Sequence, residues 1–197
     1  MTTVKKLSDS IQTKPAMAFM AFMLLCAAFW HGSAGAQSGW STLQDGTVVL
    51  FRHASAPGVG DPLHFRLGDC STQRNLDAAG RTQAQSIGEQ FRMRRIPVRK
   101  VVSSQWCRAR ETAQLAFPGL ANDAEAFNSF FEEAARSEEQ TAAARAMLGQ
   151  WKGPGVLVVV THQVNITALT GIAPASGEGV IIRPLLGRLE VLGRLQP

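Results

Sequence analysis

The sequence predicts an α/β fold of three layers: a mainly parallel central sheet with helices on both faces. Three observations carry that expectation. Apolar, β-branched runs alternate with segments of helical spacing, a pattern that builds parallel sheets covered on both sides. The run VLVVV at residues 156–160 contains no polar position, as in a strand buried on both faces. Beyond residue 36, no internal repeat or low-complexity linker divides the chain, which leaves about 160 residues for one domain.

Residues 1–36 stand apart from that domain. Lys5, Lys6 and Lys14 form a basic lead-in, residues 16–30 are continuously apolar, and Ala34-Gly35-Ala36 places small residues where a signal peptidase cuts. The apolar run is shorter than the roughly 20 residues a spanning helix needs. A cleaved secretory signal over 1–36 is therefore expected, followed by a domain over 37–197, periplasmic or secreted, with no stable membrane span. An uncleaved N-terminal anchor is the alternative. Cleavage removes three Lys and one Asp, so the net charge falls from +5 to +3.

The elements come in order along the chain. Residues 47–51 form the first strand. Residues 61–75, with Pro62 and Gly68, form a long loop. Residues 76–95 place Ala84, Ile87, Gly88 and Phe91 near helical spacing, and Pro97 closes that helix. Residues 100–103 are a second strand and 108–117 a helix stopped by Pro118-Gly119. A helix over 137–151 opens on Ser137, with Glu138 and Glu139 favourably placed against its dipole. Gly153-Pro154-Gly155 breaks the chain before the strand at 156–160. A short helix at 164–170 and strands at 180–182 and 189–192 complete the domain.

Composition excludes some functions. A charge of +3 attracts anions modestly, and no Lys/Arg run is interleaved with aromatics, which argues against nucleic acid. Cys70 and Cys107 remain after cleavage, either as a disulfide in an oxidising compartment or as buried thiols.

The chemistry gathers at the strand ends. Val48-Val49-Leu50-Phe51 runs into Arg52-His53; the second strand runs into Ser103-Ser104 and then Arg108; the strand at 156–160 runs into Thr161-His162. In an open parallel sheet, ligands bind beyond the carboxyl ends of the strands. Two imidazoles and two guanidinium groups, with no carboxylate beside them in sequence, suit a small multivalent anion. Phosphate fits best, because arginine's planar fork matches its oxygens. Arg108 at a helix start opposes the helix dipole, which an anion nearby would relieve.

These segments resemble the histidine phosphatase superfamily, which includes the phosphoglycerate mutases. RHA at 52–54 resembles its Arg-His-Gly signature, and SSQWCRARETA at 103–113 resembles its Ser-Ser-x-x-x-Arg-Ala-x-x-Thr-Ala motif. NLDAAGRTQA at 75–84 and VVVTHQ at 158–163 match the same pattern in the same order. The resemblance implies the phosphoglycerate mutase-like fold and a phosphoric monoester hydrolase needing no metal and no cofactor. It makes His53 the nucleophile, forming a phosphohistidine, with Arg52, Arg108, His53 and His162 on the phosphoryl oxygens. The four histidines show no metal-ligand spacing of their own.

Two departures stand out. Ala54 replaces the usual Gly, and Gln163 stands where one branch has its acidic Asp. The leaving-group acid therefore stays open: the closest local match puts Ser129 in the acid's place, with Glu132 and Glu133 beside it, and Glu178 is a further candidate. GDCSTQRNL at 68–76 and HQVNITALTG at 162–171 narrow the resemblance to periplasmic bacterial members such as the lipopolysaccharide core heptose-phosphate phosphatases. That implies a small phosphorylated substrate, a sugar phosphate or the lipopolysaccharide core, selected by His64, Arg66, Gln73 and Arg74 of the long loop. A mutase is disfavoured, because an exported chain lacks access to a cytoplasmic bisphosphate. The alternative from another class is a non-catalytic phosphate-binding module of the same fold.

Overall fold

The structure, a computed structural model, describes residues 1–3 and 39–196. From residue 4 onward, the expected signal segment lies outside the described residues. The chain divides into two units between Ala36 and Gln37, and the second contains the sheet and the helices that cover it. Among the described residues no helix is long and apolar enough to cross a membrane.

Strands β1 (Val48–Arg52), β2 (Val98–Ser103), β3 (Ala121–Asp123), β4 (Val156–Thr161), β5 (Gly179–Leu185) and β6 (Arg188–Leu195) form a sheet of order β3-β2-β4-β1-β5-β6. The first four in that order run parallel; β5 runs antiparallel to β1, and β6 antiparallel to β5. Val160 of β4 lies opposite both Phe51 of β1 and Ser103 of β2, so the three central strands finish at one level.

Helices α1 (Ala78–Met93), α2 (Cys107–Ala116), α3 (Ser137–Gly149) and α4 (Gln163–Thr170) cover the sheet. Alternation along the strands decides which face each residue serves. Val49, Phe51, Val101 and Val158 pack with Ile87 and Phe91 of α1 and Ala109 and Ala113 of α2. Val48, Leu50, Val102 and Val159 pack with Ala144 and Leu148 of α3 and Ile166 and Leu169 of α4. These side chains are almost wholly buried, each contributing roughly 1.5–3 kcal/mol for the larger ones. The expected three-layer α/β fold is borne out.

Local chemistry sets the boundaries. Asp77 caps α1, its carboxylate accepting the Gly80 N–H at 2.6 Å. Gly88 lets α1 lie against α2, since a Cβ there would stand 1.9 Å from the Ala116 carbonyl oxygen. The short edge strand β3 was not expected from the sequence; Ala121-Asn122-Asp123 has no strand pattern and pairs only with β2. The final hairpin is also longer than expected. Pro184 falls within β5, but β1 pairs only as far as Ile182, so no ladder bond to β1 is lost there.

Candidate active site

The ends of β1, β2 and β4 are stitched together by backbone bonds that continue past the strands. The His53 N–H donates to Thr161 O at 2.9 Å and the Ser104 N–H to Val160 O at 2.9 Å. On the other side, the Arg52 N–H donates to Glu178 O at 3.0 Å. Side chains leaving such positions have little freedom. His53, Arg108 and His162 are 2%, 3% and 4% exposed, and the two imidazole rings lie 5.4 Å apart at an edge-to-face angle. The two histidines and two arginines expected at one sheet edge thus line one cleft of about 220 Å³.

Hydrogen bonds assign the protons. His53 Nδ1 lies 2.8 Å from the Ala54 carbonyl oxygen, which can only accept, so Nδ1 carries the proton. Its Nε2 lone pair accepts from Arg108 Nε at 3.2 Å. His162 Nδ1 accepts from Arg108 Nη2 at 3.5 Å, leaving its Nε2–H to donate to Ser104 Oγ at 2.8 Å. Ser104 Oγ donates in turn to Asn128 Oδ1 at 3.3 Å, and the Gln105 N–H donates to the same oxygen at 2.9 Å. Burial, reinforced by the Arg108 charge, pushes the His53 imidazole down to about 3. Burial also holds His162 well below the usual histidine range, with His53 and Arg108 adding to it. Both rings are neutral at neutral pH.

A carboxylate enters the site from the long loop. Asp61 Oδ1 accepts from Arg108 Nη1 at 2.6 Å and Oδ2 from Nη2 at 3.1 Å; Trp106 Nε1 also donates to Oδ2 at 2.9 Å. No carboxylate stands beside these cations in sequence, as expected, but Asp61, eight residues beyond His53, is brought to them because the loop folds back onto Arg108. One aspartate in the Gly-rich stretch GVGDP carries no spacing signal, so sequence reasoning had no means to find it. Arg74 holds that loop in place, with Nε donating to Gly60 O at 2.8 Å and Nη1 bonded to Ala56 O. On the far side, Arg52 Nη1 donates to Pro174 O at 3.1 Å, while the buried Arg52 Nε has no partner.

A family model, that of the histidine phosphatase superfamily (branch 1), matches residues 48–151, just over half of the chain. The chain belongs to this superfamily. Membership bears out the reading of the chain as an enzyme of the phosphatase class. Among solved structures, the protein histidine phosphatase SixA, complexed with tungstate, matches with a TM-score of 0.53 at 15% identity over 77% of this chain and 97% of its own. The alpha-ribazole phosphatase of Shigella flexneri matches at 0.55 and 16% over 74% and 94%. Phosphoserine phosphatase of Entamoeba histolytica, in complex with 3-phosphoglyceric acid, matches at 0.55 and 14% over 77% and 97%. At these identities the likeness establishes the fold. Comparison with curated proteins finds no match.

The remaining sequence-predicted residues of this histidine phosphatase are placed unevenly. Ala54 takes the glycine's position without difficulty: it is fully buried, its N–H donates to Thr112 Oγ1 at 3.0 Å, and it is not among the positive-φ residues. Glu178, expected as a possible acid, is not brought into the cleft. Its carboxylate is bonded to Arg194 and accepts the Ala175 N–H at 2.8 Å, and the Arg194 bond holds it below the usual carboxylate range, ionised and without a proton to give. Its backbone serves instead, as the acceptor for Arg52.

Glu132 is exposed at the rim, where a Cβ on Gly60 would stand 2.6 Å from its Oε1, and it does not line the cleft; Glu133 is also exposed. Ser129 does line it, but a serine hydroxyl is no carboxylic acid. Cys70 and Cys107 form the disulfide. Of the loop residues, Arg74 lines the cleft, Gln73 is buried with Oε1 accepting the Cys107 N–H at 2.9 Å, and His64 and Arg66 are exposed away from it.

Proposed function

We propose that this chain is a metal-independent phosphomonoester hydrolase working through a phosphohistidine at His53, on a phosphorylated sugar or lipopolysaccharide core substrate outside the cytoplasm. One observation carries the chemistry. His53 Nδ1 is committed to the Ala54 carbonyl, so Nε2 carries the lone pair, which accepts from Arg108 Nε at the cleft until a phosphoryl group takes that donor. An uncharged nitrogen nucleophile next to a fixed cation is what in-line attack on phosphorus asks for. Phosphoryl transfer needs positioning and charge stabilisation more than covalent help from the protein.

The steps come from the geometry. The phosphoryl group enters against Arg52, Arg108 and His162, and the partnerless Arg52 Nε–H supplies one donor. His53 Nε2 bonds to phosphorus as the ester P–O bond breaks, and water then attacks phosphorus and releases phosphate, returning the electron pair to Nε2. With its ring held from behind by Ser104, His162 takes a proton from solvent onto Nδ1 as the phosphoryl anion enters and donates it to a phosphoryl oxygen.

The disulfide Cys70–Cys107 supports an oxidising compartment, as does the signal-like N-terminus. The exposed ring of Phe131 and the side chain of Val59 flank the cleft mouth, surfaces suited to the apolar face of a sugar ring. Phosphorylated small molecules also occur with relatives of the same fold, as in the phosphoserine phosphatase bound to 3-phosphoglyceric acid.

The test is phosphate release from p-nitrophenyl phosphate by the purified protein with EDTA present, beside His53→Ala. Turnover that vanishes in the variant is expected. A folded protein that binds phosphate and turns over no ester between pH 4 and 8 would favour the binding module, which keeps the anion pocket without the chemistry.

A further inference from the structure

Every guanidinium nitrogen of Arg108 already has a protein partner. Nε donates to His53, Nη1 to Asp61, and Nη2 to Asp61 and His162. A phosphoryl group that is to use this fork must displace something, and the two oxygens of Asp61 occupy the positions two phosphoryl oxygens would take. Asp61 is also the one carboxylate among the described residues lining the cleft, and its side chain is only 9% exposed.

Resting on the phosphatase reading above, we propose that Asp61 is the acid–base residue of this enzyme. It is held on Arg108 until substrate arrives, and the phosphoryl group then releases it to serve the leaving oxygen.

The surroundings allow that exchange without opening the loop. Arg74 ties the backbone down at Ala56 O and Gly60 O, on either side of Gly58 (φ 93°). Asp61 therefore leaves Arg108 by turning its side chain, and the Trp106 indole N–H remains as a donor to one oxygen. The charged groups facing it are Arg108 and, more distantly, Arg74 and Arg52, with the His53 and His162 imidazoles across the cleft. Burial pushes the Asp61 carboxyl up, but the Arg108 hydrogen bonds and charge outweigh it and hold the group below the usual carboxylate range. A phosphoryl dianion on the fork takes Arg108 away and adds a like charge, so both remaining influences favour the protonated form.

The step balances. Asp61 takes a proton from the monoanionic ester or from solvent as it is displaced. His53 Nε2 forms the N–P bond, the P–O bond breaks with its electron pair going to the leaving oxygen, and Asp61 protonates that oxygen. In the second half the ionised Asp61 accepts a proton from the attacking water, the N–P bond breaks, and its electron pair returns to Nε2.

The test compares first-turnover kinetics of the native enzyme, Asp61→Asn and Asp61→Glu on p-nitrophenyl phosphate and glycerol 3-phosphate. Nitrophenolate leaves without a proton, whereas the glycerol alkoxide needs one. In Asp61→Asn, the nitrophenolate burst should stay within about tenfold of native and then stall with phosphohistidine accumulated, while glycerol release falls roughly 100- to 10,000-fold. Asp61→Glu, which keeps a proton donor, should recover at least about tenfold of the glycerol rate relative to Asp61→Asn.

A nitrophenolate burst slowed as much as glycerol release would reduce Asp61 to a positioning residue for Arg108 and overturn the proposal. So would native rates on both esters in Asp61→Asn, or no recovery in Asp61→Glu. A native enzyme inactive on both esters would overturn the phosphatase reading itself.

Discussion

Arg108 Nε donates to His53 Nε2 at 3.2 Å. On the proposed reading, the attacking nitrogen is held by the same cation that would bind the phosphoryl oxygens, and a proton on that nitrogen would break the contact and place two cations side by side. Burial and this charge together keep His53 neutral down to about pH 3.

If His53 is the nucleophile proposed above, it should stay competent in acid. The first-turnover rate on p-nitrophenyl phosphate, followed from pH 7 to pH 4, should show no acid limb near 6.5, the ordinary histidine value. An acid limb centred near 6.5 and assigned to His53 by NMR titration would contradict the burial and charge described here.

Stability should move with pH as well. His53 and His162 bind protons in the unfolded chain below about 6.5 but stay neutral when folded, so the unfolded state carries more protons as pH falls. Stability should then decline as pH falls below 6.5, by on the order of 1 kcal/mol per pH unit for each ring still neutral in the folded state, with the His53 share continuing toward about 3. Urea titrations at pH 7, 5.5 and 4.5 measure the slope, and a flat profile would mean that the rings titrate normally.

Ser104→Ala removes the acceptor for the His162 Nε2–H and detaches that ring from Asn128. The ring loses both its tautomer and its orientation, so kcat should fall roughly 10- to 100-fold, in line with about 1–3 kcal/mol for an unmade buried bond. The His162 ring nitrogen shifts should change with it, whereas a merely loosened fold would raise KM and leave the tautomer alone.

Gly88→Ala should destabilise the enzyme although alanine is the better helix former. A Cβ at this position would meet backbone, the Ala116 carbonyl oxygen at 1.9 Å, which no side-chain rotation relieves. Overpacking of this kind costs about 1–3 kcal/mol, set against about 1 kcal/mol of helix propensity. Thermal unfolding should show a lowered Tm, with catalytic constants close to native because the contact is at the far end of α2 from Arg108.

Reduction of the Cys70–Cys107 bond, or Cys70→Ser with Cys107→Ser, should lower stability by roughly 2–4 kcal/mol. The bond joins the long loop to the residue before Arg108. Phosphate affinity should weaken together with Tm, and an unchanged affinity would show that Gln73 and packing suffice to hold Arg108.

What the sequence made legible was whatever repeats a physical pattern. The run at 156–160 could only be a doubly covered strand, and parallel neighbours had to bring Arg52, His53 and His162 to one edge. The acid was not legible, because its position depends on how the 61–75 loop crosses back over Arg108, a matter of Arg74 bonding to Ala56 and Gly60. Glu178 drew attention as a carboxylate among small residues near a late strand. Its partner Arg194 lies sixteen residues on, across the β5–β6 hairpin, and only the antiparallel register brings the two together. Local sequence shows which residues end a strand, but not which distant side chain claims them first.

The disulfide also fixes a spacing that packing alone would leave to temperature. With Cys70 and Cys107 joined at a Cα separation of 5.7 Å, warming can loosen the apolar contacts around the loop without letting it part from the helix that presents Arg108. The spacing between loop and helix is thereby made independent of how firmly the loop is packed, so a loop this polar and this exposed can still bound the cleft.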